Sequence, residues 1–305
     1  MTVLLNVVLP VFLVAGVVAL AQTRLRFNIQ TLSRVVFYLF APALVFDSLA
    51  ASDVSGAEFG QITAVLLLTT AALWALGAIF GRLLRLEGPT RAAFLAAIVL
   101  MNAGNYGLSI DLFAFGQAGL ARATLYFAGS AVLSSSLGVY LTASGRVSAR
   151  RALGRVASVP LVYAAALGLV VNLAHLAVPE PLQKAVHLLG QASVPTMLTV
   201  LGVHLAETVR SQRHVVHLPA LGAVTVFRLI VAPALAWLFA GAIGLQGLTR
   251  HVVVLESAMP TAVITTILAT EFESDPPFSA LCVLVTTLVS LPTVTILLNW
   301  LMGRF

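Results

Sequence analysis

The chain has 305 residues, of which 60% are hydrophobic and only 9% are charged. A soluble domain cannot hide so much apolar surface, because its helices and strands need polar faces toward water. The formal net charge of +6 arises from single arginines scattered between apolar runs. Without a basic helix face or an aromatic platform, this charge does not indicate nucleic-acid binding. The composition therefore predicts an all-α polytopic membrane protein that is surrounded by the lipid bilayer.

Ten apolar segments are each long enough to cross a bilayer, for which a helix needs roughly 20 residues. In chain order they are Thr2–Gln22, Asn28–Ala50, Gly60–Leu84, Arg91–Gly116, Ala121–Ala143, Ala157–Ala177, Pro181–Glu207, His217–Ile243, Thr249–Thr270 and Pro277–Leu301. The connections are short and hold most of the charge, so we expect one integrated membrane domain. It consists of a first repeat at 1–143, a basic cytoplasmic loop at 144–156 and a second repeat at 157–305.

The distribution of basic residues predicts the orientation of these segments. Twelve of the 17 lysines and arginines fall in loops on one side, four fall on the other, and Arg228 lies inside a segment. Lysine and arginine are enriched in cytoplasmic loops. We therefore expect a protein of the cytoplasmic (inner) membrane with both termini outside.

The two halves of the chain carry helix-breaking residues at matching positions. The matches are Pro10 with Pro160, Pro42 with Pro195, and the cluster Asn102–Gly107 with the cluster Ser257–Thr261. Because each half has five helices, an odd number, the second half enters from the opposite side and the repeat is inverted. Inverted repeats with interrupted helices point to a transporter site, although proline and glycine also kink membrane helices without any such role.

The residues at these positions resemble the auxin efflux carrier family, whose members include plant auxin carriers and bacterial transporters proposed for malate and malonate. The resemblance covers essentially the whole chain and is carried by Asn102–Leu108, Ser193–Leu205, Ala258–Ala262, and Arg228 followed by Pro233. It implies ten helices, a scaffold domain, and a mobile transport domain in which the broken fourth and ninth helices cross. It also implies a homodimer.

One position departs from the family pattern. The family usually has proline after the Gly107-Leu108 pair, and here Ser109 stands in its place. This difference predicts a break in the fourth helix that is softer or shifted toward Gly104 and Gly107.

The crossing of two broken helices would create a site for a small organic anion. Each break exposes backbone N–H groups and a positive helix end at mid-membrane, so no lysine or arginine is needed there. The candidate substrate-binding residues are Asn102, Gly104, Asn105, Tyr106, Met259, Pro260 and Thr261, with Ser134 of the fifth segment as a residue that could line the path. The asparagines could equally cap the broken helix ends, and Ser134 could simply allow close helix packing.

Four charged residues fall within the segments, and charge there is costly enough to suggest function. Glu256, one turn before Pro260, either carries a coupling proton or forms an ion pair with Arg228. Asp111 is open to coupling, to pairing with Arg228, or to a water-filled vestibule. Asp47 lies close to the outer end of its segment and could reach water.

We therefore predict a secondary carrier of small organic anions that works by alternating access. The alternative is a proton or sodium antiporter that uses the intramembrane acids, and a sensor that has kept a transporter fold is a further reading. An enzyme is disfavoured, because the chain has neither a metal-ligand motif nor a nucleophile signature and its acids do not form an obvious pair. No cofactor or metal is expected beyond a coupling proton or sodium ion.

Overall fold

The computed structural model describes residues 2–143, 150, 154–211 and 217–303, and every regular element among them is helical. We number the main helices, including their short π-helical turns, as α1 Leu4–Leu25, α2 Ile29–Ala50, α3 Gly56–Leu83, α4 Gly88–Val99, α5 Ala103–Thr142, α6 Pro160–Leu173, α7 Glu180–Arg210, α8 Leu218–Ala242, α9 Gly247–Ser257, α10 Ile264–Glu271 and α11 Pro276–Met302. The all-α prediction is confirmed for this part of the chain.

Within the described residues, seven helices are long and apolar enough to cross a membrane, namely α1, α2, α3, α5, α7, α8 and α11. The predicted ninth segment is divided into α9 and α10. The predicted fourth segment is divided between α4 and the start of α5, and it ends at Gly116, whose φ of 64° and ψ of −156° interrupt α5. Most of the predicted loop 144–156 lies outside the described residues.

Three π-helical turns come just before prolines inside the long helices. Leu4–Val8 precedes Pro10, Val36–Phe40 precedes Pro42, and Phe227–Val231 precedes Pro233. A proline lacks the N–H group and its ring crowds the carbonyl four residues earlier, and a wider turn accommodates both effects. A fourth π turn, Ala103–Gly107, has the same spacing from Ser109. The turn is therefore present here without the usual family proline.

The short helices α4 and α9 lie at the centre of the molecule. Residues 251–257 of α9 are all buried, as are residues 92–94 and 96–99 of α4. The surrounding helices instead expose large apolar side chains, for example Leu13, Leu20 and Leu83. An apolar exterior is compatible with a lipid solvent and not with water. The interior of this membrane protein is therefore built around two helices that are too short to span a bilayer.

Arg122 is one of the four basic residues counted toward the outer side, and it is buried in α5. Its guanidinium contacts Asp53 Oδ1 at 3.1 Å and Glu58 Oε1 at 3.2 Å, and its Nε donates to Thr249 Oγ1 at 2.8 Å. This cluster joins the α2–α3 loop to α3, α5 and α9. The charge is buried because it is paired with two carboxylates, which a sequence of isolated segments does not reveal.

Candidate functional site

The chain leaves the helical conformation between α4 and α5 and again between α9 and α10, and these two segments pair with each other. The Asn102 N–H donates to the Pro260 carbonyl at 2.8 Å, and the Ala262 N–H donates to the Leu100 carbonyl at 3.0 Å. Met101 and Thr261 thereby form an antiparallel bridge. The pairing satisfies backbone groups that a helix break leaves without partners in a membrane interior.

Thr261 ties this bridge to its neighbours. Its N–H donates to Thr286 Oγ1 of α11 at 3.0 Å, and its own hydroxyl donates to the Ala97 carbonyl of α4 at 2.9 Å. The carbonyls of Met259 and Pro260 also accept hydrogen bonds within the protein. The three candidate residues between α9 and α10, Met259, Pro260 and Thr261, are therefore all buried, and their backbone groups or side chains hold the bridge together.

Arg228 holds the C-terminal ends of both interrupted helices. Its side chain is fully buried and donates to the carbonyls of Ile98 at 3.0 Å, Ser257 at 2.8 Å and Met259 at 2.9 Å. A cation is favourable at this position, because the C-terminal end of a helix carries partial negative charge and unpaired carbonyls. The alternative ion pair with Glu256 is not formed, since the guanidinium is directed at backbone oxygens instead.

The first break contributes residues with different degrees of accessibility. Tyr106 is fully buried and accepts a hydrogen bond from Ser290 of α11 at 3.1 Å. Gly104 lies against the Phe127 ring, whose nearest carbon would be 2.6 Å from an added Cβ. Asn102 is buried, and its side-chain Nδ2 has no hydrogen-bond acceptor among the described residues. Asn105 is the only half-buried residue of the segment 101–110.

The structure brings together two acids that the sequence spacing did not pair. Asp111 of α5 and Glu256 of α9 are both fully buried and lie next to each other where α9 packs against α5. In the described part of the chain, no donor reaches any of their four oxygens. The Glu256 carboxyl also lies against the backbone of Gly107, one turn before Asp111, where an added Cβ would be 2.5 Å from Oε2.

Two predicted residues do not join this cluster. Asp47 accepts from, or donates to, His187 Nδ1 at 2.8 Å, and His187 in turn contacts Gln191. Asp47 is therefore engaged at the end of α2 and is not a partner of the buried acids. Ser134 is half-buried at the start of a π turn, one turn before Gly138, which packs against Leu100 of the first break. It borders the break without contacting the bridge.

Sequence reasoning missed several polar residues that contact the bridge or the helix ends. Thr286 and Ser290 of α11 bond Thr261 and Tyr106, and Tyr126 of α5 shares a 2.8 Å hydrogen bond with Ser257. Thr286 and Ser290 lie four residues apart on one face of an apolar helix. This helical spacing of hydroxyls was the available signal, because i and i+4 side chains share a face.

A cavity of about 460 Å³ is lined by residues 50–55, 171–173, 175 and 176, at the ends of α2 and α6. None of its lining residues belongs to the two breaks. It is therefore separate from the candidate site that the paired breaks define.

Long apolar helices, an apolar exterior and interrupted helices paired at the centre define the class as a polytopic α-helical membrane protein with the features of a transporter. The chain belongs to the auxin efflux carrier family, because the family model described as a membrane transport protein matches residues 4–146 and 144–298. The predicted resemblance is confirmed.

Two relatives extend this finding. The chain is 32% identical over 272 residues to an uncharacterized transporter of Methanothermobacter thermautotrophicus, covering 86% of this chain and 85% of the relative. It is 26% identical over 280 residues to an uncharacterized transporter of Methanocaldococcus jannaschii, covering 90% and 89%. Membership of a transporter family is also consistent with the prediction that the protein is not an enzyme.

Proposed function

We propose that this protein is a secondary carrier of small organic anions that works by alternating access and holds its substrate beside the paired breaks. The observation that carries the proposal is that two helices, α5 and α10, begin where the breaks pair. The first turn of a helix presents unpaired N–H groups and a partial positive charge, which together favour an anion. The unpaired Nδ2 of Asn102 adds a further donor at the same place.

The charge distribution around the bridge supports an anion over a cation at this point. The C-terminal ends of α4 and α9 are already neutralised by Arg228, which donates to carbonyls of both. The positive ends of α5 and α10 have no comparable cap, since neither N-cap side chain accepts a hydrogen bond from the N–H groups of its helix. The positive ends of these two helices therefore favour a carboxylate as the ligand.

The packing of the helices supports ten membrane crossings arranged as an inverted repeat. In an inverted repeat, α6 would be the counterpart of α1, and α7 the counterpart of α2. The contact between α1 and α7 would then have the contact between α6 and α2 as its counterpart, and both contacts are present. Residues at or near segment ends that were predicted on the same side also meet: Asn172 bonds Ser52 on one side, and Thr90 bonds Asp275 on the other. We accordingly propose that α4–α5 and α9–α10 are the crossed fourth and ninth helices of a mobile domain.

The remaining features of the proposal follow the family and the charge distribution. Both termini would lie outside the cytoplasmic membrane, as the basic loops indicate. Two subunits would form the functional homodimer. The second candidate function is a proton or sodium antiporter, which the buried pair of Asp111 and Glu256 favours because intramembrane acids often bind coupling ions.

The proposal can be tested by ligand-induced thermal stabilisation of the purified protein. A panel from malate to indole-3-acetate, with neutral analogues and sodium as controls, would identify what binds the folded state. A ligand at 100 times its dissociation constant stabilises by about 2.7 kcal/mol. We expect stabilisation by acids and none by their neutral analogues, whereas stabilisation by sodium alone would favour the antiporter.

A single charge substitution sharpens this test. Asn102→Asp preserves side-chain shape and replaces the unpaired donor with a carboxylate, so we expect stabilisation by organic acids to disappear. Asn28→Asp is the matched control, because Asn28 is an exposed N-cap that accepts from the Thr31 N–H and aspartate caps equally well. Equal acid-induced stabilisation in both variants would remove the break from the substrate site.

A further inference from the structure

We infer that the Asp111–Glu256 carboxyl pair is the proton-binding site of this carrier and takes up one proton with each organic anion. The inference rests on the proposed carrier function and adds the coupling ion and its location. It begins from an unusual arrangement. Two fully buried carboxyl groups lie side by side, and no donor among the described residues reaches either one.

Electrostatics disfavours the doubly ionised form of this pair while both groups are buried. Two carboxylates at interacting distance repel each other, and burial removes the water that would screen them. One proton resolves both difficulties, because one carboxyl becomes a donor and the other accepts its hydrogen bond. The buried pair then carries a single negative charge, which is shared over both groups, instead of two.

The packing around Glu256 keeps the two groups in this arrangement. The carboxyl lies against Gly107, so close that an added Cβ would be 2.5 Å from one oxygen and 2.7 Å from the other. Asp111 is four residues further along α5 and therefore on the same helix face. Glycine at position 107 thus leaves space for the Glu256 carboxyl directly beside Asp111.

Other charged groups near Glu256 are already engaged. Arg228 of α8 directs its guanidinium to backbone carbonyls, and the Tyr126 hydroxyl of α5 bonds Ser257. Glu58 of α3 lies beside the opposite end of α9, where it accepts from Thr249 and Arg122. Among the described residues, no cation forms an ion pair with either carboxyl group.

The ionisable groups on other helices packed against α5 are likewise engaged elsewhere. Asp47 of α2 bonds His187, and His204 of α7 contacts Thr266 at 3.1 Å. The described residues contain no group of three or more acidic, histidine or cysteine side chains that could hold a metal ion. A metal cation needs several oxygen ligands, whereas a proton needs only the two that this pair offers.

The position of the pair predicts the sign of coupling. Glu256 contacts the turn Ala103–Gly107, whose start is the proposed anion site, so an ionised pair repels an anion bound there. Protonation weakens that repulsion, and by linkage the bound anion favours protonation to the same extent. The two ligands therefore bind together, which is symport.

Infrared difference spectroscopy tests the proton site without any substrate. A protonated carboxyl has a C=O stretch separate from the amide bands that shifts in D₂O. We expect the wild-type protein at neutral pH to show one such buried carboxyl per chain. Glu256→Gln and Asp111→Asn should each abolish it, because the new amide donates to the remaining carboxylate. Glu87→Gln, at an exposed acid, should leave it unchanged.

The outcomes of this measurement are decisive. A wild-type protein without the band, or a band that survives in both variants, would overturn the inference. Loss of the band on addition of sodium, with sodium-dependent stabilisation that both variants lack, would assign the pair to sodium instead. The wild-type band and the two single variants are independent measurements. If one variant fails to fold, the other two measurements still show whether the pair holds a proton.

Uptake into proteoliposomes tests coupling separately. With labelled malate or indole-3-acetate, a one-proton symporter driven by one pH unit accumulates its anion about tenfold. We expect this accumulation in the wild type and its loss in Glu256→Gln, with facilitated equilibration retained. Wild-type uptake that ignores the pH gradient would overturn the coupling role. Absence of uptake of both acids would count against the proposed carrier function, while the infrared band still decides the proton site.

Discussion

Gly107→Ala is the most informative single substitution, because it adds one methyl group between the first break and the acid pair. Gly107 has helical φ and ψ of −59° and −54°, so alanine fits its backbone. The added Cβ would lie 2.5 Å from Glu256 Oε2, 2.7 Å from Oε1 and 2.8 Å from the carboxyl carbon. The Glu256 carboxyl must therefore move away from Gly107.

The size of the effect follows from these distances. Overpacking a buried site costs about 1–3 kcal/mol, and alanine recovers about 0.5–1 kcal/mol over glycine in a helix. We expect a net loss of about 1–2 kcal/mol, which lowers the melting temperature by about 2–8 °C at this chain length. Because the carboxyl moves, the infrared band of the shared proton should also shift.

Two other glycines provide matched controls for a thermal unfolding assay in detergent. Gly222→Ala adds a Cβ with nothing within 4 Å, so its melting temperature should stay equal or rise. Gly104→Ala places a Cβ 2.6 Å from the Phe127 ring and should destabilise the protein without shifting the carboxyl band. If Gly107→Ala were as stable as Gly222→Ala and kept the wild-type band, the close contact with Glu256 would be refuted.

Two further predictions concern the buried arginines. Arg228→Met should destabilise the protein by about 2–5 kcal/mol: three buried carbonyls lose their hydrogen-bond donor, and this loss outweighs the gain from no longer burying a guanidinium. Thermal unfolding measures the effect, with Arg24→Met at an exposed arginine as the control. Equal melting temperatures of the two variants would contradict the prediction. The Arg122 guanidinium, by hydrogen bonding and by its charge, lowers the pKa of Asp53. That contribution to stability is present above the ordinary aspartate pKa of about 4 and is lost as pH falls through the lowered value. Asp53→Asn should therefore reduce the loss of stability that the protein shows as the pH falls. The reduction should be small, because the Asp53 side chain in the ion pair with Arg122 is exposed to solvent. An unchanged loss of stability at low pH would argue against this ion pair.

Local sequence patterns were sufficient for the class of protein. Hydropathy is a sum over neighbouring residues, so it predicted membrane helices without knowledge of their partners. The motif Asn102–Gly107 and the proline at 260 likewise predicted where helices would be interrupted, because glycine, asparagine and proline act on their own backbone. The family resemblance rested on the same local residues.

Side-chain partners required the tertiary structure. An ion pair with an acid was one of the alternatives left open for Arg228, and it binds carbonyl oxygens that include one 130 residues away. Asp111 and Glu256 gave no sign of a pair, and Arg122 was counted only as a charge of the outer side, although it is buried and paired with two carboxylates. In each case the outcome depends on which helices are neighbours and how each is rotated about its axis. Hydrophobic periodicity is weak in helices that are apolar on every side, so it does not predict how such a helix is rotated. The sequence therefore determined where the helices lie along the chain. Only their packing decided which polar groups face each other.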